Sequence, residues 1–211
     1  MKKFAKLTAL ILCAVLCVAC LTACGGSQGA SSAPAAAPAE AAKVLKVATN
    51  VAFPPYEFYD NEQAVGIDIE IIQAICDKLG YTMELSDMEF GSIITAVAAG
   101  KVDVGFGAIT ITEERAKSVL FTTPYDSGIQ AIIVKEDSAI ATVEDLGAKG
   151  VIIGVQQDTT GDIYCTDDFG EDRVVRYNTC ADAIQALLSG KVDCCIMDNE
   201  PAKSYVAANN K

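Results

Sequence analysis

Histidine does not occur among the 211 residues of this sequence. Its absence excludes catalytic triads in which an imidazole takes the proton of a serine or cysteine nucleophile. It also excludes the paired histidines of helical zinc-protease motifs and most imidazole metal sites. We therefore expect neither a metal nor a cofactor.

Basic residues are also scarce, because 16 lysines and arginines stand against 28 acidic residues, a formal net charge of −12. A protein that binds nucleic acid needs a basic surface to neutralise phosphates, so nucleic acid is not an expected partner. The same shortage argues against membrane attachment through a polybasic segment.

The start of the chain indicates another route to a membrane. Three lysines within the first six residues precede an apolar run over residues 7–21, and a Leu-Thr-Ala-Cys sequence ends at Cys24. A basic start, a short apolar core and small residues before the cleavage point are typical of an export signal. Leu-Thr-Ala-Cys resembles the bacterial lipobox, which implies a lipoprotein signal peptide over residues 1–23 and lipidation of Cys24. A plain secretory signal cleaved nearby is the alternative.

The lipidated cysteine begins a segment of low complexity. Residues 24–43 are mostly glycine, serine, alanine and proline, with too little apolar bulk to form a core, so we interpret them as a flexible linker. The protein is thus expected to be exported and anchored by lipid on the outer face of the cell membrane, which is the periplasmic side in a two-membrane cell.

Five cysteines remain after Cys24, and none forms a C-x-x-C pair that would indicate zinc. Cys194 and Cys195 are adjacent, so on a strand they would point to opposite faces. Most of the five are expected to be small buried hydrophobic side chains. A disulfide between Cys165 and Cys180 is left open.

Strand and helix patterns alternate from Val44 onward. Short apolar runs at residues 44–49, 81–85 and 102–106 are typical of strands, and helical patterns with one apolar face separate them. This alternation predicts an α/β fold with mostly parallel strands. The pattern also predicts helix caps at Asp68, Ser92, Thr112, Thr142 and Thr179.

A short internal repeat indicates two similar halves. The sequence Gly-Lys-Val-Asp occurs at residues 100–103 and again at 190–193, each time between an apolar helix and a strand. We place lobe 1 at residues 44–126 and lobe 2 at residues 127–211. A hinge is expected in the Pro-Tyr-Asp-Ser-Gly sequence that separates them.

Three segments carry candidate binding groups. Thr110 and Arg115 flank the start of a helix capped by Thr112, so a hydroxyl, free backbone N–H groups and a guanidinium come together as a receptor for a carboxylate. A turn with an ordinary surface arginine is the alternative. Thr159 and Thr160 begin a second helix, which could equally be a simple cap. Asp198 ends a strand, where open α/β sheets place ligands.

Six motifs in order resemble the extracellular solute-binding proteins of family 3, the polar amino-acid receptors of bacterial ABC importers. The resemblance implies a two-lobed Venus flytrap of the type II periplasmic-binding-protein class that closes on one free amino acid. It also implies permease subunits of an ABC transporter as partners, and a monomer. The motifs lie at residues 48–58, 65–68, 88–90, 107–115, 154–161 and 197–199.

The resemblance assigns roles to particular residues. Arg115 would hold the ligand's α-carboxylate with the Thr110 N–H and the helix start at Thr159 and Thr160. Asp198 would bind the α-ammonium with the Thr110 hydroxyl and the Ala108 carbonyl. Aromatic side chains would form the walls of the side-chain pocket: Phe53, Tyr56 and Phe90.

Two departures from the family pattern affect these expectations. Asn50 stands near the position where receptors for cationic side chains often carry an acid, which favours a polar, uncharged ligand; sulfur amino acids remain an alternative. Family members usually continue for some tens of residues beyond Lys211. We therefore expect an incomplete lobe 2 that lacks the return to lobe 1.

Two other functions remain open at this stage. Exported dehydratases resemble the same family, but they need a general acid or base over the ligand, and histidine is absent. We therefore expect a binding protein and not an enzyme. A sensor whose closed form docks on a signalling partner is the third possibility.

Overall fold

The computed structural model describes residues 43–209, and the predicted signal peptide and Cys24 lie outside these residues. No helix in the described part is long and apolar enough to cross a membrane.

Lobe 1 is built on a three-stranded parallel sheet in the order β4–β1–β5. Helix α2 packs on β1, and its buried Ile93 contacts a small core with Ala48, Ala96 and Val102. A two-stranded hairpin, β2–β3, precedes helix α1. The elements are β1 (Lys43–Thr49), β2 (Phe58–Asp60), β3 (Gln63–Val65), α1 (Ile67–Leu79), β4 (Tyr81–Asp87), α2 (Phe90–Ala98), β5 (Val104–Gly105) and α3 (Glu113–Ala116).

Lobe 2 is built on a four-stranded sheet in the order β6–β9–β7–β8, in which β6 runs antiparallel to β9 and the other pairs are parallel. Two short 3₁₀ helices, Val143–Gly147 and Glu171–Arg173, connect its elements. The elements are β6 (Gln130–Ile133), β7 (Ile153–Gln156), α4 (Thr160–Phe169), β8 (Val174–Tyr177), α5 (Cys180–Leu188), β9 (Cys194–Asp198) and α6 (Asn199–Asn209).

The lobe 2 sheet has a buried core on each face, and the cysteines divide between them. Cys195 packs with Cys180 under α5, whereas Cys194 packs with Cys165 under α4. The opposite orientation of Cys194 and Cys195 on β9 is therefore confirmed. Cys165 and Cys180 lie on different faces of the sheet and the five cysteines of the described chain are free thiols, so the disulfide that the sequence left open between Cys165 and Cys180 is not formed.

Three of the five predicted helix caps are confirmed, and the exceptions have a physical reason. The side chains of Thr112 and Thr179 each accept a hydrogen bond from a backbone N–H at the start of their helices, and Thr142 forms a capping box with Asp145, whose carboxylate accepts from the Thr142 N–H at 2.9 Å. Asp68 does not cap α1: Gly66 takes that place at φ +124°, and a Cβ there would lie 2.3 Å from the Tyr56 carbonyl oxygen. Ser92 lies inside α2, which begins two residues earlier.

The contrast between a buried and an exposed aliphatic residue tests the lobe 1 core. Ile93 is fully buried and Leu120 is fully exposed. Ile93→Ala should lower the free energy of unfolding by about 2–5 kcal/mol, because it removes apolar burial and leaves a cavity. Leu120→Ala should change it by no more than about 0.5 kcal/mol. Equal effects in denaturant titrations would show that this core is not packed as described.

Candidate functional site

A cavity lies between the lobes, at the carboxyl ends of strands from both sheets. It encloses about 440 Å³, including the part open to solvent. Ligands of open α/β sheets bind at this edge because the loops leaving parallel strands converge there. Its lining comes from lobe 1 (Asn50, Phe53, Glu57, Phe90, Gly107, Ala108, Thr110 and Arg115) and lobe 2 (Gln130, Gln156, Thr159, Thr160, Gly161, Cys180, Met197 and Asp198).

The Arg115 guanidinium is held by neutral groups from both lobes. It donates to the Thr110 carbonyl oxygen and to the Asp158 carbonyl oxygen, each at 2.8 Å. Its Cζ atom lies 5.3 Å from the centre of the Phe90 ring, in cation–π contact. Burial lowers the pKa of Arg115, and no carboxylate forms an ion pair with it within residues 43–209. The cation therefore faces the cavity without a salt-bridge partner in this part of the chain, and the Asp158 charge acts on it from a longer distance.

Asp198 is the corresponding acid in lobe 2. Its carboxylate accepts a hydrogen bond from the side-chain amide of Gln130, whose nitrogen also lies 3.3 Å from the Thr160 hydroxyl oxygen. Burial raises the pKa of Asp198, and it too is without an ion-pair partner in the described part of the chain. The cavity thus holds one cation and one acid that have no salt-bridge partner within residues 43–209.

Two strained residues shape the cavity, one in each lobe. Ala108 and Asp158 have positive φ values of 47° and 64°, although neither is glycine. In each case a buried acid holds the strained N–H: Asp68 Oδ2 accepts from Ala108 at 2.7 Å and Asp162 Oδ2 from Asp158 at 2.9 Å. Residues in this conformation cluster at functional sites, because the surrounding structure must compensate their strain.

Glu57 and Asp68 form a buried carboxyl pair beside the cavity. Both are 1% exposed, and Glu57 also lines the cavity. Burial, together with the neighbouring Asp68 charge, raises the pKa of Glu57 to about 10. Burial also raises the pKa of Asp68, against hydrogen bonds from Tyr125 and Ala108 that lower it. Both shifts favour the uncharged form, so the pair carries fewer than two negative charges at neutral pH.

Direct hydrogen bonds join the two lobes. The Gln156 side-chain amide donates to Asn50 Oδ1 at 2.9 Å, and the Tyr205 hydroxyl of α6 donates to the Ala52 carbonyl oxygen at 2.8 Å. The Arg115–Asp158 contact is a third such bond. Together they describe an arrangement in which the lobes are closed over the cavity.

Nine of the ten ligand-binding residues predicted from the sequence line this cavity, and Tyr56 does not. Tyr56 is buried, stacks on Phe53 with ring centroids 6.1 Å apart, and donates its hydroxyl to Asp126 at 2.5 Å. It therefore supports Phe53 from behind. The binding roles of the other nine remain predictions.

Several lining residues were not predicted from the sequence. Gln130 on β6 and Cys180 at the start of α5 carry no local signal of function. Gln156 and Met197 belong to the family motifs at residues 154–161 and 197–199, but no binding role was assigned to them. Glu57 had a signal, because it belongs to the Pro-Pro-Tyr-Glu part of the first family motif and is an acid next to two aromatic residues.

Two α/β lobes with a charged cavity between them at the strand ends define a two-lobed ligand-binding protein. The sequence profile of the bacterial extracellular solute-binding proteins, family 3, matches residues 45–160, and the chain belongs to that family. The sequence-based recognition of the family and of the two-lobed fold is thereby confirmed.

Relatives named for their ligands are similar over most of the described chain. The arginine-binding extracellular protein ArtP of Bacillus subtilis is 33% identical over 173 residues, which cover 80% of this chain and 66% of ArtP. The arginine-, lysine-, histidine-binding protein ArtJ of Geobacillus stearothermophilus is 36% identical, with a TM-score of 0.75 and coverage of 80% of this chain and 72% of ArtJ. An ancestral arginine-binding protein bound to glutamine is 40% identical, with a TM-score of 0.74 and coverage of 79% and 74%. The chain thus spans about two-thirds to three-quarters of the length of these relatives.

The Tyr205 hydroxyl provides a test of the closed arrangement. Tyr205→Phe removes the hydrogen bond to the Ala52 carbonyl and should lower the free energy of unfolding by about 0.5–1.5 kcal/mol. Tyr164→Phe is the matched control, because Tyr164 is 53% exposed and its hydroxyl has no hydrogen-bond partner among the described residues. If both variants unfold at the same denaturant concentration as the parent, α6 does not join the lobes in solution.

Proposed function

We propose that this protein binds one free amino acid between its lobes and delivers it to an ABC importer. The observation that carries the proposal is the presence in one cavity of two charged groups without a salt-bridge partner among the described residues, the Arg115 cation and the Asp198 carboxylate. A zwitterion supplies the opposite charge to each, so it satisfies both groups at once. Neither charge needs a partner from the protein when such a ligand is bound.

The carboxylate end of the ligand belongs at Arg115. Two guanidinium N–H groups are used by carbonyl oxygens, which leaves other donors of the planar fork for a carboxylate. Thr160 and Gly161 also line the cavity, at the first turn of the ten-residue helix α4, where unpaired backbone N–H groups favour an anion.

The ammonium end of the ligand belongs at Asp198. The Thr110 hydroxyl and the Ala108 carbonyl are the acceptors proposed beside it, and both residues line the same cavity. Because Arg115 comes from lobe 1 and Asp198 from lobe 2, a bound amino acid bridges the lobes and stabilises their closure.

The ligand's side chain has two candidate classes. Asn50 favours an uncharged polar side chain from the sequence alone, but its amide is already used by Gln156 and the Met88 carbonyl oxygen. Glu57 brings a buried acid into the cavity, which supports a cationic side chain. ArtP is named for arginine, and ArtJ for arginine, lysine and histidine, which supports a cationic side chain. The ancestral arginine-binding protein is bound to glutamine, so uncharged polar amino acids are also included in the binding experiment below. We favour the cationic class.

Attachment to the cell surface is part of the same proposal. Lipidation of Cys24 would hold the receptor on the outer face of the membrane beside the permease subunits of its transporter, as a monomer. A receptor at that place needs no transmembrane helix of its own. The sensor and the dehydratase-like enzyme remain the alternatives. They differ from the importer in the step after ligand binding, which is docking on a signalling partner for the sensor and turnover of the ligand for the enzyme.

A scan of free amino acids by thermal unfolding tests the proposed function. At a hundredfold excess over Kd, a ligand that binds only the folded state adds about 2.7 kcal/mol of stability, which raises the midpoint. We expect one or a few amino acids to raise the midpoint of the purified protein, with arginine among them. Arg115→Ala should abolish that shift, because the carboxylate loses its cation.

Lys117→Ala is the matched control for Arg115→Ala. It also removes one cation at α3, but Lys117 is largely exposed and pairs only with Glu114 among the described residues. A shift that survives in Arg115→Ala would remove the carboxylate assignment. A cooperative melt that no amino acid moves would contradict the receptor function and favour turnover of another ligand.

A further inference from the structure

The Glu57–Asp68 pair is unusual because neither acid has a cation beside it. Neither carboxyl belongs to any ion pair within residues 43–209, and each keeps one buried oxygen without a donor: Glu57 Oε2 and Asp68 Oδ1. Both carboxyl groups border the same turn: the Ala108 N–H donates to Asp68 Oδ2 at 2.7 Å, and a Cβ on the preceding Gly107 would lie 3.1 Å from Glu57 Oε1. Two buried acids beside one another cannot both ionise at low cost, so the pair holds a proton.

The groups around the pair do not replace a cation. From the segment that joins the lobes, the Tyr125 hydroxyl donates to Asp68 Oδ2 at 2.8 Å and the Asp126 charge acts on Asp68. The Ala108 N–H donates to the same oxygen, and the Thr49 hydroxyl oxygen is buried without a partner on β1. From lobe 2, Cys180 of α5 lines the same cavity as Glu57, its thiol donates to Gln156 Oε1, and burial raises its pKa. Every titratable neighbour is therefore neutral or acidic.

Only one member of the pair reaches the ligand cavity. Glu57 lines it, whereas Asp68 lies behind Glu57 on α1, with Oδ2 occupied by Tyr125 and Ala108. A protonated Glu57 can still accept a hydrogen bond from the cavity. It suits a neutral donor such as an amide, whereas a guanidinium or ammonium needs the carboxylate form.

We propose that the Glu57–Asp68 pair is the binding subsite for the ligand's side chain and that it releases or keeps a proton according to the charge of that side chain. A cationic side chain binds with release of the proton that the pair holds, and an uncharged polar side chain binds with the proton retained. In the first case the O–H bond of the Glu57 carboxyl breaks, the proton passes to water, and the cation takes its place. Asp68 acts as a positioning residue, because its negative charge keeps the proton on Glu57 when no ligand is bound. The inference rests on the proposed function and deepens it.

The consequence is that pH changes which side chain is preferred. An opposite charge at contact distance lowers a carboxyl pKa by about 1–3 units, so the cation-bound pair loses its proton at a lower pH than the ligand-free pair. At low pH the proton is hard to remove, so the preference for a cationic side chain is weakest there. The preference grows as the pH rises toward the pKa of the ligand-free pair. Uncharged ligands gain nothing from this change.

Arginine and citrulline give the sharpest comparison, because citrulline has nearly the same shape with a neutral ureido group. We expect the ratio of the arginine and citrulline affinities of the purified protein, measured by isothermal titration calorimetry, to rise severalfold between pH 6 and pH 9. Effects of pH on the shared α-carboxylate and α-ammonium cancel in this ratio. Titration of arginine alone at pH 8, in two buffers of different ionisation enthalpy, should show net proton release.

Variants assign the effect to the pair. Glu57→Gln should remove the pH dependence of the ratio, and Asp68→Asn should move it to lower pH, because the charge that retains the proton is gone. Glu84→Gln is the matched control: Glu84 is exposed on β4 and outside the cavity, so the parent profile should persist. A ratio that stays flat in the parent protein while both ligands bind overturns this inference alone. If no amino acid binds, the proposed function fails and the inference fails with it.

Discussion

The unpaired charge of Arg115 is the constraint on which the site depends. Within residues 43–209 the half-buried guanidinium donates to two carbonyl oxygens and lies over an aromatic face, but it has no salt bridge, and burying a charge without an ion-pair partner is costly. The protein tolerates that cost because carbonyls from both lobes and the Phe90 ring hold the cation in place. One of those carbonyls, that of Asp158, belongs to lobe 2, so it holds the guanidinium only when the lobes are closed. Closure of the lobes and binding of an anion at Arg115 are therefore coupled.

Both lobes fix the backbone beside the cavity in the same way. In each, a buried carboxylate holds the N–H of a strained residue that follows a strand, Asp68 for Ala108 and Asp162 for Asp158. Asp162 is itself neutralised by Arg176 at 2.8 Å, whereas Asp68 has no cation and shares its environment with Glu57. The two lobes are therefore alike in geometry and unlike in charge, and the difference lies where the ligand's side chain is expected.

The sequence predicted the features that depend on neighbours along the chain. The Thr112 cap, the Thr110 to Arg115 spacing and the position of Asp198 at a strand end are local features, so the pattern located them. It failed where distant contacts decide: Asp68 looked like a helix cap because it is an acid before an apolar run, but a tight approach of α1 to the Tyr56 carbonyl requires Gly66 there. The Glu57–Asp68 pair and the Gln130 and Gln156 contacts arise only when elements far apart in sequence pack together. The family resemblance placed Tyr56 in the pocket wall, yet its hydroxyl donates to Asp126.

A crystal structure of the protein grown with L-arginine tests the central claim most directly. The account predicts density for one amino acid between the lobes, with its carboxylate on the Arg115 guanidinium, its ammonium on Asp198 and its side chain directed toward Glu57. An amino acid bound in the reverse orientation, or bound outside this cavity, would contradict it.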